Sequence, residues 1–245
     1  MKVKDFIMER VRAKHTMHMT LIDPAKQSYA QAAEIASCAE RLGTDAIMVG
    51  GSTDVTQENL DNTVLAIKKV AKVPVIYFPS GAHAIARFSD AIYFMSMLNS
   101  RNRKNIIGEQ VMGAPAIAKL GLETISMGYM IVEPGMKVGE VGEADLIKRD
   151  DEATAVAYGL AAQFLGMDII YFEAGSGAPE PVTGDMIASV KSKVRIPVII
   201  GGGIRTPEQA SMIKKAGADI IVTGTIVENG DYMSRLESMI KAVKG

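Results

Sequence analysis

The chain has 245 residues, 48% of them hydrophobic, with 27 basic and 28 acidic side chains and a net charge of −1. That is enough apolar material for a substantial core, and the near-neutral balance excludes a global field that would gather nucleic acid or an anionic membrane surface. A lone cysteine, Cys38, excludes a disulfide framework and a cysteine-based metal site and points to a reducing, cytoplasmic setting; no apolar run approaches the roughly 18 residues of a membrane span.

Residues 1–14 are charged throughout and read as a helix ahead of the first strand. Eight short apolar runs follow: MHMTLI (17–22), DAIMV (45–49), VPVIYF (73–78), AIYFMSM (91–97), TISMGYMIV (124–132), MDIIYFE (167–173), IPVII (196–200) and DIIVTG (219–224). Most are continuous rather than alternating, as parallel strands covered on both faces are. Helix punctuation lies between them. Ser28 with Gln31 and Thr206 with Gln209 have capping-box spacing, Pro207 falls at a first helical position, and Gly43, Gly166 and Gly217 close helical patterns. The segment PSGAHAIARFSD after the third run is too short and too poorly patterned for a helix, so one outer helix is predicted to be replaced by a loop.

Internal repetition separates a closed barrel from an open sheet. Gly43 and Asp45 recur as Gly166 and Asp168, and Pro74-Val75-Ile76 recurs as Pro197-Val198-Ile199, all at one spacing of 123 residues. Half-chain periodicity with four strands per half predicts a single (β/α)8 TIM barrel over residues 1–245, rather than an open doubly wound sheet.

In such a barrel the working face is the C-terminal end of the strands, and the loops after the seventh and eighth strands often hold phosphate. Those loops are GGGIR (201–205) and TGTIVENG (223–230). Their glycines either allow a tight turn or bare backbone N–H groups to an anion, which makes Gly202, Gly203, Gly224 and Thr225 the candidate phosphate residues. Arg205 either adds charge or begins a solvated helix. The sixth strand ends with Tyr171 and Glu173 on one face, followed by the turn Gly175-Ser176-Gly177, so a substrate hydroxyl is held there, and Glu173 either orients it or takes its proton.

Asp23 ends the first strand, and Ser52 or Thr53 follows the second. One carboxylate and one hydroxyl beside phosphate oxygens are suited to magnesium. His18 lies inside a strand as a core histidine, while His83 has no assigned role. Asn99, Arg101, Arg103 and Lys104 either receive a larger anion such as pyrophosphate or form a solvated helix start. The stretch after them holds Gly108, Gly113, Ala114, Ala116 and Ala118, which permit close packing or leave a groove for a long apolar chain. Met95, Met97, Met127 and Met130 are either an adaptable apolar wall or core filler.

The blocks HMTLIDPAK, VGGST, FPSGAHAIARFSDAIYFMSMLNSRNRKNIIGEQ, YFEAGSGAPEPV, VIIGGGIRTPEQA and VTGTIVE together resemble the geranylgeranylglyceryl phosphate synthases and their bacterial heptaprenyl relatives. The resemblance covers nearly the whole chain. It implies a modified barrel without its third helix, a homo-oligomer (dimer or hexamer), and magnesium-dependent transfer of a polyprenyl group from its pyrophosphate to the 3-hydroxyl of sn-glycerol 1-phosphate. That reaction makes the first ether bond of archaeal-type lipids. Geranylgeranyl is the donor the resemblance favours, with heptaprenyl or another length as the alternative.

The resemblance places the metal at Asp23 and Ser52 and the glycerol phosphate at Tyr171, Phe172, Glu173, Ala174, Gly175, Ser176, Gly177, Gly202, Gly203, Gly224 and Thr225. Some members carry a lysine two residues before the aspartate, where this chain has Leu21, so any role of that lysine passes elsewhere. In the implied mechanism magnesium at Asp23 and Ser52 binds the leaving pyrophosphate, and Glu173 takes the proton of the attacking hydroxyl. Two other readings compete. A sugar-phosphate isomerase barrel would need a second catalytic carboxylate, for which Glu133 is the candidate; a non-catalytic module would simply bind a phosphorylated metabolite.

Overall fold

Isoleucine, valine and methionine dominate the eight apolar runs, and each run becomes a parallel strand. In the computed structural model, which describes residues 1–228 and 230–245, these are β1 (Met17–Ile22), β2 (Ala46–Val49), β3 (Val75–Tyr77), β4 (Ala91–Met97), β5 (Glu123–Ile131), β6 (Ile169–Glu173), β7 (Val198–Gly201) and β8 (Ile220–Thr223). They pair in sequence order and β1 closes on β8, so the sheet is a barrel, as the 123-residue repeat predicts. Asn229, in the loop 223–230, lies outside the described residues.

The helices are α1 (Val3–Arg12), α2 (Tyr29–Leu42), α3 (Gln57–Lys68), α4 (Glu109–Leu120, led by a π turn at Lys104–Gly108), α5 (Met136–Val141), α6 (Glu152–Phe164), α7 (Gly184–Lys193), α8 (Pro207–Lys215) and α9 (Met233–Lys244). Both anticipated capping boxes form, and Thr56 with Asn59 makes another at α3. Met17, Met19, Met48 and Met127 fill the barrel interior, while Val3 and Ile7 of α1 pack into its floor. The α1 N-terminus is fixed there by Glu123, whose carboxylate accepts the Val3 and Lys4 N–H groups, each at 2.9 Å, a favourable charge for a helix start.

Between β3 and β4 the chain forms no helix. Residues 78–90 are held instead by side chains: Tyr77 donates to Ala84 O at 2.9 Å, the Gln57 amide bonds both backbone groups of Ile85, and Arg87 pairs with Asp61. His83 bonds Val55 O at 3.0 Å and serves this loop. Omitting the helix leaves open the space between α3 and α4.

At the opposite end of the barrel one device repeats four times. The residue before each even-numbered strand is an aspartate that accepts the N–H of a residue early in the preceding strand: Asp45 from His18 at 2.8 Å, Asp90 from Val75 at 2.8 Å, Asp168 from Ser126 at 3.0 Å and Asp219 from Val198 at 2.8 Å. Each also pairs with a lysine: Lys244, Lys68, Lys4 and Lys191 respectively. The carboxylates thus tie odd to even strands and anchor α9, α3, α1 and α7 to the barrel floor. The histidine read as a core residue is one: His18 is fully buried between Thr44 (3.0 Å) and Thr223 (2.9 Å), and burial pushes its pKa down to about 3.

Replacing Asp45 tests this device. Asp45→Ala strands the buried His18 N–H and Lys244 and is expected to lower the unfolding free energy by about 2–3 kcal/mol in urea titration. Asp45→Asn, which keeps an acceptor, should lose roughly half as much.

Candidate active site

Two cavities open at the C-terminal end of the strands and share a wall. The smaller, about 50 Å3, is lined by Tyr171, Glu173, Ser176, Gly177, Gly202, Gly203, Ile204, Arg205, Val222, Thr223, Gly224, Thr225 and Leu21. The four candidate phosphate residues therefore converge, with the N-terminus of α8 behind them, an arrangement of bare N–H groups and helix dipole suited to an anion. Ser176 Oγ meets Thr225 Oγ1 at 3.2 Å, joining the β6 and β8 loops across the cavity.

Each of the three glycines has its own reason. A Cβ on Gly201 would lie 2.0 Å from the Tyr171 hydroxyl, one on Gly202 2.1 Å from Glu173 Oε1, and one on Gly203 2.4 Å from Glu180 O; Gly202 and Gly203 also take φ of +78° and +69°. Glu173 itself is 8% exposed, and its Oε1 accepts the Gly175 N–H at 2.7 Å. Burial raises its pKa above the ordinary carboxylate value, offset in part by that N–H and by the Tyr171 phenol. Burial and the neighbouring Glu173 charge hold the Tyr171 phenol well above its usual range, so it remains a proton donor. A carboxylate with raised pKa beside a fixed donor is competent to orient and deprotonate a hydroxyl.

Two side chains of this stretch do not face the cavity. Phe172 and Ala174 point outward into the core between barrel and helices, because side chains alternate along a strand; of the run 171–177, Tyr171, Glu173, Ser176 and Gly177 line the small cavity, whereas Gly175 is buried away from it, its N–H taken by Glu173 and its carbonyl by the Ala178 N–H. Gly175 sits under Gly135 O, which a Cβ would approach to 2.6 Å.

The larger cavity, about 180 Å3, occupies the place of the omitted helix. It runs from Glu173, Ser176 and Leu21 past Phe78, Tyr93 and Tyr129 to Ala84, Ile85, Gly113 and Ile117. Of the small residues at 108–118, only Gly113 lines it; Gly108, Ala114, Ala116 and Ala118 do not. Met95 and Met97 belong to its wall, whereas Met127 and Met130 are core. Phe78, Tyr93, Tyr129 and Tyr171 form an aromatic layer beneath the junction, with Phe78 5.4 Å from Tyr129 and Tyr129 5.2 Å from Tyr171 between ring centroids. The signal for this layer was present as one tyrosine on each of three successive strands, and reading the runs singly passes over it. Glu133, the candidate second carboxylate of the isomerase reading, lines neither cavity.

Asp23 and Ser52 follow the paired ends of β1 and β2, where Ile22 faces Val49. Gly51 lies against the carboxylate, since a Cβ there would be 2.4 Å from Asp23 Oδ1, and Ser52, not Thr53, lines the larger cavity. Desolvation raises the Asp23 pKa, with the charge of Lys26 opposing and that of Glu228 reinforcing the shift. Lys26 is itself paired with Glu228 at 2.8 Å, and among the described residues no ion pair neutralises Asp23. No group of three acidic, histidine or cysteine ligands gathers among the described residues. Asp23 itself lines neither cavity, and its Oδ1 accepts the Ala25 N–H at 2.9 Å; a half-buried, unneutralised carboxylate after β1 and a hydroxyl after the neighbouring β2 are ligand types that fit a divalent ion whose remaining ligands come from water and phosphate.

The basic cluster is corrected. Asn99 is 2% exposed and its amide is consumed by backbone: Nδ2 donates to Ile131 O (2.9 Å) and Asp145 O (2.7 Å), and Oδ1 accepts from Ile131 N (3.1 Å). Arg101 pairs with Asp145 at 3.6 Å, Lys104 with Glu109 at 3.0 Å, and Arg103 is exposed; none of the four lines either cavity. The turn after β4 directs these cations to the outer surface.

The PcrB family model matches residues 8–245. Among curated proteins, the geranylgeranylglyceryl phosphate synthase of Thermoplasma volcanium is 51% identical over 238 residues, covering 97% of this chain and 94% of its own length, and that of Thermococcus kodakarensis is 48% identical over 248 residues, covering 100% and 98%. Among solved structures, the (S)-3-O-geranylgeranylglyceryl phosphate synthase of Thermoplasma acidophilum in complex with sn-glycerol 1-phosphate superposes with a TM-score of 0.96 at 46% identity, covering 100% of this chain and 99% of that one.

Gly202→Ala puts a methyl group into the Glu173 carboxylate at a left-handed backbone position. Inorganic phosphate binding followed by calorimetry is expected to weaken on the order of 100-fold, whereas an unchanged affinity would remove the loop from the anion site.

Proposed function

The chain belongs to the PcrB family, and on that footing we propose that it is a prenyltransferase joining geranylgeranyl pyrophosphate to the 3-hydroxyl of sn-glycerol 1-phosphate. The observation that carries the reading is the meeting of a small polar cavity and a long apolar one at Glu173, Ser176 and Leu21. The first suits a phosphorylated glycerol; the second suits an isoprenoid chain. The names carried by relatives about 50% identical over the full length support the same substrates, and sn-glycerol 1-phosphate is bound in one of the similar structures.

Glycerol phosphate enters with its phosphate on the glycine loops of β7 and β8 and its 3-hydroxyl toward Glu173. The carboxylate takes the hydroxyl proton, the oxygen bonds to the allylic C1 of the donor, and the C1–oxygen bond to pyrophosphate breaks with the electron pair leaving on pyrophosphate. Phe78, Tyr93 and Tyr129 line the larger cavity and Tyr171 the smaller, so aromatic rings border the junction where positive charge develops on the allylic carbon. Asp23 and Ser52 would hold magnesium, which would supply positive charge to the leaving pyrophosphate. Leu21 stands at the seam and excludes water from the reacting carbon.

Self-association into a dimer or hexamer is part of the proposal. The outer faces of α4 and α6 support it, since Val111 and Met112 on α4, Phe164 at the end of α6 and Leu165 just beyond it are between 58% and 79% exposed, apolar side chains that a second copy would cover. Among the described residues no helix is long and apolar enough to cross a membrane.

Labelled sn-glycerol 1-phosphate incubated with geranylgeranyl pyrophosphate and magnesium should yield an organic-extractable product; a phosphate-binding module or an isomerase would yield none. The acid limb of kcat/KM should follow Glu173. Because burial raises its pKa above 4.5, activity should fall with slope one as pH drops through a value above 4.5, and Glu173→Gln should lower kcat by about 100- to 10,000-fold and abolish that limb. Full turnover by the variant would leave only positioning to this residue. Asp23→Asn should remove the dependence of turnover on magnesium, and a magnesium titration curve like that of the unaltered protein would overturn the metal assignment.

A further inference from the structure

Of all the residues lining the two cavities, Arg205 is the only lysine or arginine. Its guanidinium is fixed: Nε donates to Ala178 O at 3.1 Å and Nη2 to Gly177 O at 2.6 Å. Those two carbonyls belong to the loop that roofs the small cavity, while Arg205 itself follows the glycine loop that floors it. Guanidinium carries five N–H donors, so three remain after the roof contacts, and no ion pair among the described residues involves Arg205. An arginine at a helix start is ordinarily solvated and mobile. This one, although exposed, is oriented by two carbonyls, keeps its charge unneutralised, and borders a cavity whose other lining residues include four glycines and no other cation.

We propose that Arg205 is an acceptor-recognition residue, its guanidinium contacting the phosphate of a small phosphomonoester in the glycine-lined cavity while clasping the roof loop over it. The inference rests on the reading of that cavity as the acceptor site. Backbone N–H groups supply dipoles but no net charge, and the buried Glu173 carboxylate stands in the same cavity, so a phosphate placed there meets one like charge before any cation is counted. Leu21 supplies none at the seam. Arg205 offsets that repulsion, and its planar fork bonds roof carbonyls and phosphate oxygens together. The Ser176–Thr225 hydroxyl contact at 3.2 Å holds the same roof from the β8 side, so ligand phosphate, β7 loop and β8 loop close on one another. Phosphorylated glycerol is thereby separated from glycerol itself.

Calorimetry with inorganic phosphate and with sn-glycerol 1-phosphate, together with steady-state kinetics, tests the assignment on R205Q and R205K. R205Q should weaken both phosphate ligands on the order of 10- to 100-fold, with the loss falling on the acceptor KM rather than on kcat or the donor KM. R205K, which keeps charge without the fork, should fall between R205Q and the unaltered protein. A purely structural role would weaken glycerol and glycerol phosphate alike and disturb the donor KM, and that pattern, or unaltered phosphate affinity in R205Q, would overturn the proposal. Phosphate affinity that still falls in R205Q, in a protein that makes no lipid product, would support the anion role and overturn the acceptor reading alone.

Discussion

The ends of β6 and β7 approach so closely that no side chain fits between them, and the site is a consequence of that approach. Glu173 pairs with Gly201 in register, and its carboxylate occupies the volume that a Cβ on Gly202 would need. Burial of the carboxylate follows, and with it a pKa raised above the ordinary carboxylate value. The same bare backbone leaves N–H groups facing the small cavity. One steric fact thus creates the buried carboxylate and the bare glycine floor together, which explains why three consecutive positions tolerate nothing larger than glycine.

The barrel's two halves are equivalent at the floor and diverge at the mouth. Ile47 N donates to Pro74 O at 2.9 Å and Ile170 N to Pro197 O at 3.0 Å, corresponding contacts 123 residues apart, and the aspartate ties recur around the ring. Beyond those contacts the halves separate. After β7 the chain turns through glycines into α8, while after β3 it runs through Pro79 and Gly81 without a helix, held by Gln57, Asp61 and Glu109. The absent helix opens an apolar groove, and the glycine turn builds a polar pocket. Stability resides at one end and chemistry at the other, as the architecture generally allows.

Legibility in the sequence followed the same division. Features set by local backbone chemistry were readable: strands, caps, the missing helix, the glycine loops and the Tyr171–Glu173 pair all lie where their patterns indicate. Asp45 and Asp168 were visible as a repeat because each follows a helix-ending glycine by two residues; Asp90 makes the same contact without that glycine. What escaped depends on how distant segments meet. The charge of Arg101 to Lys104 says nothing of the turn that sends Asn99 inward to bond Ile131 and sends its neighbours outward. Phe172 and Ala174 belong to a stretch that resembles a binding motif as a whole, yet the strand's twofold alternation turns both away from the cavity. Likewise Arg205 reads as a helix-start cation until the roof carbonyls that hold it are known.

Electrostatics at the mouth divide the two substrates in the proposed reaction. The cavity linings hold a single cationic side chain, on the acceptor side, and the chain as a whole carries a net charge of −1, so no long-range field draws anions in. Acceptor phosphate is met by groups already in place: glycine N–H dipoles, the α8 terminus and one oriented guanidinium. Donor pyrophosphate held between Asp23 and Ser52 would instead meet a carboxylate that repels it unless a divalent ion intervened. Binding of donor and of metal would therefore be coupled in a way that binding of acceptor would not. The leaving group would be neutralised only with both present, and the long apolar groove would supply the remaining affinity through burial of the chain. Leu21, apolar at the seam, keeps these two solutions to anion binding from merging into one.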